Sequence, residues 1–336
     1  MAAAVISSVV CCVAKVRQKG LLKLSKATVG ALLTSIESQN ILGENVLWHS
    51  AEQALYWIDI EGALLQCYQW QSAELSRYVL PQRIGSFAFL QPDPLKQKCG
   101  NDFQLVAAFA EGFALYNLQT QALKWLSQPE LHLAGHRFND GRISRNGEFF
   151  AGTMVEDAKL SRQQASLYRL DAQGQAQPVL QNLCISNGLC WSLDGRYVYH
   201  ADSPRHQIIR YRFDAATAEF SDPLLFAQTP DNAHPDGSTI DAAGCLWNAH
   251  WGAGQVVRYR PDGTVDLVVD LPVSQPSSVA IGGPQMDLLF VTSSRLGLSA
   301  AQLAAQPQAG NLFVYQLHGI TGVEENHCRY SPQWLE

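Results

Sequence analysis

The 336-residue sequence is low in charge and contains neither a basic block nor a long apolar run. Lysine, arginine, aspartate and glutamate together account for 16% of the chain, and the formal net charge is −6. Because no cluster of lysines and arginines is available to contact phosphates, we expect no binding to nucleic acid or to acidic membranes. No stretch is long and apolar enough to predict a membrane-spanning helix.

The eight cysteines form no Cys-x-x-Cys pair and show no spacing typical of a metal site. They are too sparse for a disulfide scaffold, which predicts reduced, mostly buried thiols and a cytoplasmic location. The sequence also has no Gly-x-Ser-x-Gly motif, the signature of a serine nucleophile on a sharp turn, and no glycine-rich phosphate loop before a helix. The cysteines are Cys11, Cys12, Cys67, Cys99, Cys184, Cys190, Cys245 and Cys328.

The N-terminal segment matches none of the repeats found in the rest of the chain. Its first residues, MAAAVISSVVCCVA, are apolar, but the positive charges of Lys15, Arg17 and Lys19 follow this stretch instead of preceding it. That order is the reverse of a secretion signal, and no small-residue cleavage site follows. We therefore expect residues 1–38 to be an extension and residues 39–336 to form the folded domain.

An internal repeat organises the remainder of the chain. The segments SNGLCWSLDGRYVYHADSPRHQIIRYRFD, from Ser186, and PDGSTIDAAGCLWNAHWGAGQVVRYRPDG, from Pro235, share the same order of turns and short strands, and this comparison aligns Asn187 with Asp236. The spacing of the copies is about 40 to 50 residues, the length of one four-stranded propeller blade. Weaker copies begin near Glu44, Ile84, Arg137 and Pro276.

Six copies predict an all-β fold, a six-bladed β-propeller with a central channel. At 47% hydrophobic residues, the chain is rich enough in apolar side chains to build so large a core. Helical periodicity is scarce, and only LSAAQLAAQ, around Ala300, predicts a short helix.

Polar residues stand where the first strand of several copies begins. In a propeller these strands line the channel, so we expect Glu44, Asn187 and Asp236 to converge around one axis. Their carboxylate and amide oxygens suit Ca²⁺, Mg²⁺ or Mn²⁺, whereas Zn²⁺ more often recruits His or Cys. The same residues also flank glycines, a pairing common in turns, so the residues alone leave both interpretations open.

The segment RFNDGRISRNGEFFAGT, from Arg137, adds a second polar group at such a strand start. Arg137 and Asn139 could hold a polyhydroxylated or anionic ligand beside a cation, or form a surface turn with an ion pair. We predict that Asp140, which precedes Gly141, forms a turn.

These motifs resemble the regucalcin/gluconolactonase family, which includes senescence marker protein 30 and luciferin-regenerating enzyme. The similar stretches keep the family order over residues 41–314, and RFNDG followed by AGTM, SNG and PDG is a specific combination. The resemblance implies a six-bladed propeller that holds one divalent cation and hydrolyses sugar lactones. The matching stretches are LGENVLWHSAEQALYWIDI, RFNDGRISRNGEFFAGTM, ISNGLCWSLDGRYVYHADS, PDGSTIDAAGCLWNAHWGAGQVVRYRPDG and RLGLSAAQLAAQPQAGNLF.

The resemblance also implies a role for each motif residue. The metal ligands are Glu44 of Leu-Gly-Glu, Asn187 of Ser-Asn-Gly and Asp236 of Pro-Asp-Gly, and Asp236 is in addition the proton-transfer residue. The substrate contacts are Arg137 and Asn139 of Arg-Phe-Asn-Asp-Gly, with Glu156 or Asp157 as the acidic contact that follows Ala-Gly-Thr-Met. The chain departs from the family in having Asn45-Val46 where Gly-Pro is usual after the first glutamate.

The expected activity is the metal-dependent hydrolysis of an aldonolactone. The cation, Ca²⁺ first and Zn²⁺, Mg²⁺ or Mn²⁺ as alternatives, would polarise the lactone carbonyl while Asp236 accepts a proton from water. Three other hypotheses remain open: an esterase or phosphotriesterase of the same fold, a calcium-binding regulatory protein, and a non-catalytic scaffold. The sequence specifies neither the sugar nor an oligomeric state.

Overall fold

The computed structural model describes residues 27–91, 103–156, 164–329 and 331–335. Within these residues, twenty-four strands form six antiparallel sheets of four strands each. Blade one contains β2 (Gly43–His49), β3 (Ala54–Asp59), β4 (Leu64–Gln69) and β5 (Glu74–Val79). Blade two contains β6 (Ile84–Phe89), β7 (Leu105–Phe109), β8 (Gly112–Tyr116) and β9 (Leu123–Ser127). Blade three contains β10 (His136–Ile143), β11 (Phe149–Val155), β12 (Ala165–Leu170) and β13 (Ala176–Leu183).

The other three blades follow in chain order. Blade four contains β14 (Ser186–Trp191), β15 (Tyr197–Asp202), β16 (Gln207–Asp214) and β17 (Glu219–Gln228). Blade five contains β18 (His234–Ile240), β19 (Leu246–Trp251), β20 (Gln255–Tyr259) and β21 (Val265–Asp270). Blade six contains β22 (Pro276–Gly282), β23 (Leu288–Ser293), β24 (Leu312–His318) and β1 (Thr28–Ile36). Short helices are α1 (Ala300–Ala305) and the 3-10 turns Ser203–Arg205 and Pro332–Leu335.

The structure confirms the six-bladed propeller and the single short α-helix within the described residues. Helix α1 begins at a capping box, in which the Ser299 side chain accepts the N–H of Gln302 and the Gln302 side chain accepts the N–H of Ser299. Residues of the first strand of each blade are mostly buried, because these strands lie between the channel and the second strand. Large aromatic side chains such as Trp57, Trp191 and Trp247 fill the space between blades.

Strand β1 closes the ring. It runs antiparallel to β24, with Thr28 opposite His318 and Ile36 opposite Leu312, and so supplies the outer strand of blade six. The predicted boundary at residue 38 is therefore wrong for Thr28–Ile36. The repeat comparison missed this strand because it is an outer strand with mostly exposed side chains, and it belongs to the last blade while standing first in the chain. Residues 1–26 lie outside the described residues.

All six innermost strands carry one extra residue near the start. In β6 the extra residue is Gly85, whereas in the other five strands two residues stand opposite one. Asn187 immediately precedes its bulge, as Pro235 does, whereas Asp236 lies inside the bulge of β18. The sequence comparison that aligned Asn187 with Asp236 is thus off by one residue. Asn187 and Asp236 were aligned because a glycine follows each of them. In the structure, the position of the bulge decides which residues of β14 and β18 are equivalent, and it places Asn187 level with Pro235. The paired bulge residues are Asn45–Val46, Asn139–Asp140, Gly188–Leu189, Asp236–Gly237 and Ser277–Ser278.

After β24 the chain crosses the opposite end of the channel, where the innermost strands finish. Gly322 forms a bridge to Asp241 after β18, and Cys328 forms one to Leu90 after β6. We call residues 319–329 the C-terminal strap. Its Glu325 makes an ion pair with Arg142, with 2.5 Å between a carboxylate oxygen and Nη2. The strap therefore lies at the end of the channel opposite the polar strand starts.

The described cysteines are all free, and four of the five are buried. This confirms the prediction of buried thiols for these residues, whereas Cys11, Cys12 and Cys99 lie outside the described residues. No helix in the described part of the chain is long and apolar enough to cross a membrane.

Candidate active site

The structure brings the predicted site residues to one end of the channel. Glu44 is the second residue of β2, Asn187 the second of β14 and Asp236 the third of β18, and Arg137 and Asn139 stand at the start of β10. These strands belong to blades one, three, four and five. The site therefore depends on the circular arrangement of the blades, which brings together residues far apart in the chain.

The carboxylates at this end interact strongly with one another. Burial, and then the charge of Asp140, raise the pKa of Glu44 to about 8. Burial, followed by the charges of Glu44 and Asp140, raises the pKa of Asp236 well above its usual range. Arg137 opposes both shifts, because its positive charge favours the ionised carboxylates. Glu44, Asp140 and Asp236 are thus three enclosed carboxylates that repel one another, and Arg137 balances only part of their negative charge.

Asp140 is a member of this group, and its predicted role as a turn former is wrong. It lies inside β10, in the bulge, and its Oδ2 accepts the backbone N–H of Leu189 at 3.0 Å. Burial raises its pKa to about 6, although the Leu189 N–H and the charge of Arg142 lower it. The Asp-Gly dipeptide suggested a turn, but the strand continues through it.

A row of hydrogen bonds orients the amides around the site. Arg137 Nη1 donates to Asn139 Oδ1 at 2.7 Å, and Asn139 Nδ2 donates to Asn187 Oδ1 at 2.8 Å. The Nδ2 of Asn187 then donates to the hydroxyl of Ser203 at 2.8 Å, and this hydroxyl donates to the carbonyl of Pro235 at 2.8 Å. Asn187 therefore keeps its oxygen toward Asn139, with one lone pair left for another partner.

Ser203 is a site residue that sequence reasoning missed. It is buried, follows β15 directly, and links the amide of Asn187 to the strand that carries Asp236. Its neighbour Asp202 accepts the backbone N–H groups of Cys184 and Ile185, which holds the chain just before Asn187. The HADSP stretch around it reads as an ordinary strand end, so it carried no signal of this role.

Glu156 lies between two arginines at the mouth of the channel. Its Oε1 accepts Arg83 Nη1 at 2.6 Å and Arg137 Nε at 3.3 Å, and its Oε2 accepts Arg83 Nη2 at 2.9 Å. Arg83 in particular, and then Arg137, hold the pKa of Glu156 below its usual value. Arg83 Nη1 also donates to Glu61 at 3.0 Å. The alternative acidic residue, Asp157, lies outside the described residues.

Two buried histidines near the strands, His200 and His250, have lowered pKa values. Burial lowers the pKa of His200 to about 3 and that of His250 to about 4. His200 Nε2 contacts the Ser186 hydroxyl at 2.9 Å, and His250 Nε2 contacts the Tyr259 hydroxyl at 3.0 Å. Each therefore has a local hydrogen-bond partner and is a weak base that stays uncharged near neutral pH.

The donor set at this end fits a hard divalent cation. Within the part of the chain that the structure describes, no three His, Cys, Asp or Glu side chains are grouped as metal ligands. A site here therefore needs the amide oxygen of Asn187 beside the carboxylates of Glu44 and Asp236. An all-oxygen set suits Ca²⁺ or Mg²⁺ better than Zn²⁺. A cation would also offset the mutual repulsion that raises the pKa values of these carboxylates.

Comparison with known proteins relates the chain to lactonases and regucalcins. It is 33% identical over 285 residues to a 6-deoxy-6-sulfogluconolactonase from Pseudomonas putida, covering 84% of this chain and 94% of that protein. It is 36% identical over 282 residues to an L-arabinolactonase from Azospirillum brasilense, covering 83% and 90%. Regucalcin from Oryctolagus cuniculus is 32% identical over 286 residues, covering 84% and 92%.

The solved structures and the family comparison agree with this. A calcium-binding protein, regucalcin, from Agrobacterium tumefaciens superposes with a TM-score of 0.80 at 28% identity, covering 89% of this chain and 98% of that one. The SMP-30/gluconolactonase/LRE-like region matches residues 42–295, which include Glu44, Asn187 and Asp236. The chain therefore belongs to the SMP-30/gluconolactonase/LRE-like family.

Proposed function

We propose that the protein hydrolyses a sugar lactone, an aldonolactone, to the corresponding aldonic acid at the polar end of its channel. The observation that carries this proposal is the convergence of Glu44, Asn187 and Asp236, from three blades, beside Arg137 and Asn139. The curated relatives named as a sulfogluconolactonase and an arabinolactonase support the same class of substrate.

Glu44, Asn187 and Asp236 are the residues that would hold one divalent cation, with Ca²⁺ as the first candidate. When bound, this cation supplies Lewis-acid polarisation of the lactone carbonyl and stabilises the negative charge that develops on its oxygen. The regucalcin structure described as a calcium-binding protein supports this choice of ion.

Asp236 is the proposed proton-transfer residue. Its carboxylate takes a proton from water as the water oxygen bonds to the lactone carbonyl carbon. The bond between that carbon and the ring oxygen then breaks, and Asp236 returns the proton to the departing ring oxygen. One water molecule is consumed, and the product is an open-chain hydroxy acid. Asp236 suits this role because it lies in a bulge, where its side chain departs from the regular alternation of the strand.

Arg137 and Asn139 are the proposed substrate contacts. Arg137 uses Nε for Glu156, and Nη1 for the carbonyl of Phe138 and for Asn139, which leaves Nη2 without a partner among the described residues. This remaining amino group can donate to a hydroxyl of the sugar. Fixing the lactone against a rigid guanidinium limits the orientations it can adopt, which favours reaction at the carbonyl. Glu156 contributes by holding Arg137 in place.

A calcium-binding protein without turnover is the second candidate, because several curated relatives are named regucalcin. A same-fold esterase or phosphotriesterase would use the same residues on a non-sugar substrate. A non-catalytic scaffold is the least favoured, because it has no use for three enclosed carboxylates, each of which costs free energy to desolvate.

Proton release from a panel of substrates tests these alternatives together. The panel contains D-glucono-1,5-lactone, L-arabinono-1,4-lactone, an aryl ester and a phosphotriester, each with chelator and with Ca²⁺, Mg²⁺, Mn²⁺ or Zn²⁺ restored. We expect hydrolysis of at least one aldonolactone, lost with chelator and regained with the ion. Calcium binding without hydrolysis of any substrate would favour the regulatory candidate, and turnover of the non-sugar compounds alone would contradict the choice of substrate.

A further inference from the structure

Arg83 makes the most extensive ionic contacts at the mouth of the channel, although it belongs to none of the motifs that define the site. It directly precedes β6 in blade two, whose innermost strand begins with Ile84, Gly85 and Ser86 and offers no charged side chain. Its guanidinium instead reaches Glu61 of blade one and Glu156 of blade three. Arg83 thus joins three neighbouring blades at the end of the channel where the innermost strands begin.

Arg83 binds the Glu156 carboxylate in a bidentate manner. Nη1 and Nη2 of Arg83 donate to the two separate carboxylate oxygens, at 2.6 and 2.9 Å. Such a parallel pair fixes both the position and the plane of the carboxylate, which a lysine ammonium cannot do. Glu156 is about a third exposed, at 35% of its side chain, so without this clamp it has room to turn toward solvent.

The clamped carboxylate in turn supports Arg137. Only 5% of the Arg137 side chain is exposed, and its single carboxylate contact among the described residues is Glu156, through Nε at 3.3 Å. Its other contacts are made through Nη1, to Phe138 and Asn139. If Glu156 were free to move, the Arg137 guanidinium would lose its contact at Nε. It would then be held only through Nη1, and its plane could rotate about that atom.

We propose that Arg83 is a positioning residue for substrate recognition: it clamps Glu156, and Glu156 in turn holds the Arg137 guanidinium in the orientation that binds the lactone. This proposal rests on the function proposed above. The effect passes through two side chains and does not involve Glu44, Asn187 or Asp236. Loss of Arg83 therefore weakens the binding of the organic ligand and spares the binding of the cation.

The test compares Arg83→Ala and Arg83→Lys with the wild type in the full chain, at saturating cation. For Arg83→Ala we expect KM for the best aldonolactone to rise about tenfold, a typical coupling between residues in contact. We expect kcat and the calorimetric Kd of the cation to change by less than about threefold, since Arg83 contacts neither the proton-transfer residue Asp236 nor the other proposed cation ligands, Glu44 and Asn187. Arg83→Lys keeps the positive charge but cannot make the two parallel hydrogen bonds, so its KM should lie between that of the wild type and that of Arg83→Ala.

Two further variants separate positioning from other roles. Arg196→Ala is the matched control, because Arg196 also pairs with an aspartate, Asp194, at 2.7 Å, but on an exposed turn of blade four. It should leave KM unchanged. Arg83→Ala combined with Glu156→Gln should raise KM no more than Glu156→Gln alone, because Arg83 acts through Glu156.

Several results would overturn the proposal. A KM within twofold of wild type for Arg83→Ala would show that the clamp is dispensable, and additive losses in the double variant would show that Arg83 contacts the substrate itself. A joint loss of melting temperature, cation affinity and kcat would show a purely structural role. If the wild type hydrolyses no lactone, the proposed function fails. The calorimetric Kd of the lactone then replaces KM, and the same tenfold weakening is expected.

Discussion

At the scale of single residues, the site depends as much on neighbours as on the residues that would touch ligands. Ser203 shows this most clearly, since one buried hydroxyl accepts from Asn187 and donates to the carbonyl that precedes Asp236. An amide can present either its oxygen or its nitrogen to an ion, and only the oxygen can coordinate one. Ser203 therefore selects the useful orientation of Asn187.

Replacement of Ser203 by alanine should weaken cation binding about tenfold, the lower end of the range for groups that orient metal ligands. Isothermal titration with Ca²⁺ measures this effect directly. Ser192→Ala is the matched control, because Ser192 also lies in blade four but donates to Asp194 on an exposed turn. Equal affinities for Ser203→Ala and Ser192→Ala would mean that Asn187 is held without help from Ser203.

Local residue patterns predicted part of this site and misread another part. Glu44, Asn187 and Asp236 could be found because each stands at the start of a repeat beside a glycine. Asp140 also stands beside a glycine, and this pattern predicts a turn. In the structure it lies in the bulge of β10, where its negative charge raises the pKa of Glu44. Asp-Gly is compatible with both settings, so the dipeptide cannot distinguish them.

At the scale of elements, the bulges and the C-terminal strap shape the two ends of the channel. Bulges lie at equivalent places near the starts of the innermost strands and include Asp140 and Asp236, whereas the strap crosses the far end and places Glu325 against Arg142. The repeat period predicts the blades but not the bulges, because one extra residue in a strand leaves the blade spacing almost unchanged. The strap follows the last repeat and has no periodic pattern, so its course was not predicted.

Breaking the Arg142–Glu325 ion pair should destabilise the fold with little effect on catalysis. Both side chains are largely buried, at 13% and 21% exposure, so Glu325→Gln leaves an arginine short of a counter-charge. We expect a loss of about 1–2 kcal/mol in the free energy of unfolding, below the value for a fully buried pair. Urea titration measures it, with the exposed neighbour Glu324→Gln as control. A loss no greater than that of the control would show that the pair contributes no net stability.

At the scale of the whole molecule, the ring is closed by pairing the first described strand with the last. Strand β1 covers the outer edge of β24 in blade six, and its residues lie far in sequence from all the strands they join. The number of blades and the family were predictable from motifs and spacing. The pairing of β1 with β24 was not predictable, because strands that lie at opposite ends of the chain produce no local sequence pattern.

A chain that starts at Gln39 should be less stable than one that starts at Ala27, which keeps every described residue. Loss of β1 exposes the edge of β24, removes its hydrogen bonds and leaves an unpaired strand prone to association. We expect the melting temperature to fall by at least about 5 °C, corresponding to a few kcal/mol in a chain of this size. Identical melting curves for the two chains would show that β1 adds nothing to closure.

The most direct test of the proposed chemistry is the turnover of Asp236→Asn on the best aldonolactone, measured at saturating cation. The sequence supplies its own control, because the tripeptide Pro-Asp-Gly occurs a second time at Asp262, whose side chain accepts the N–H of Thr264 in an exposed turn. Asparagine keeps an oxygen ligand but cannot accept the proton. We predict a loss of at least about 10²-fold in kcat for Asp236→Asn, as expected when a general base is removed. Asp262→Asn should match the wild type. A residual rate for Asp236→Asn within about tenfold of wild type would contradict the assignment of Asp236 as the proton acceptor.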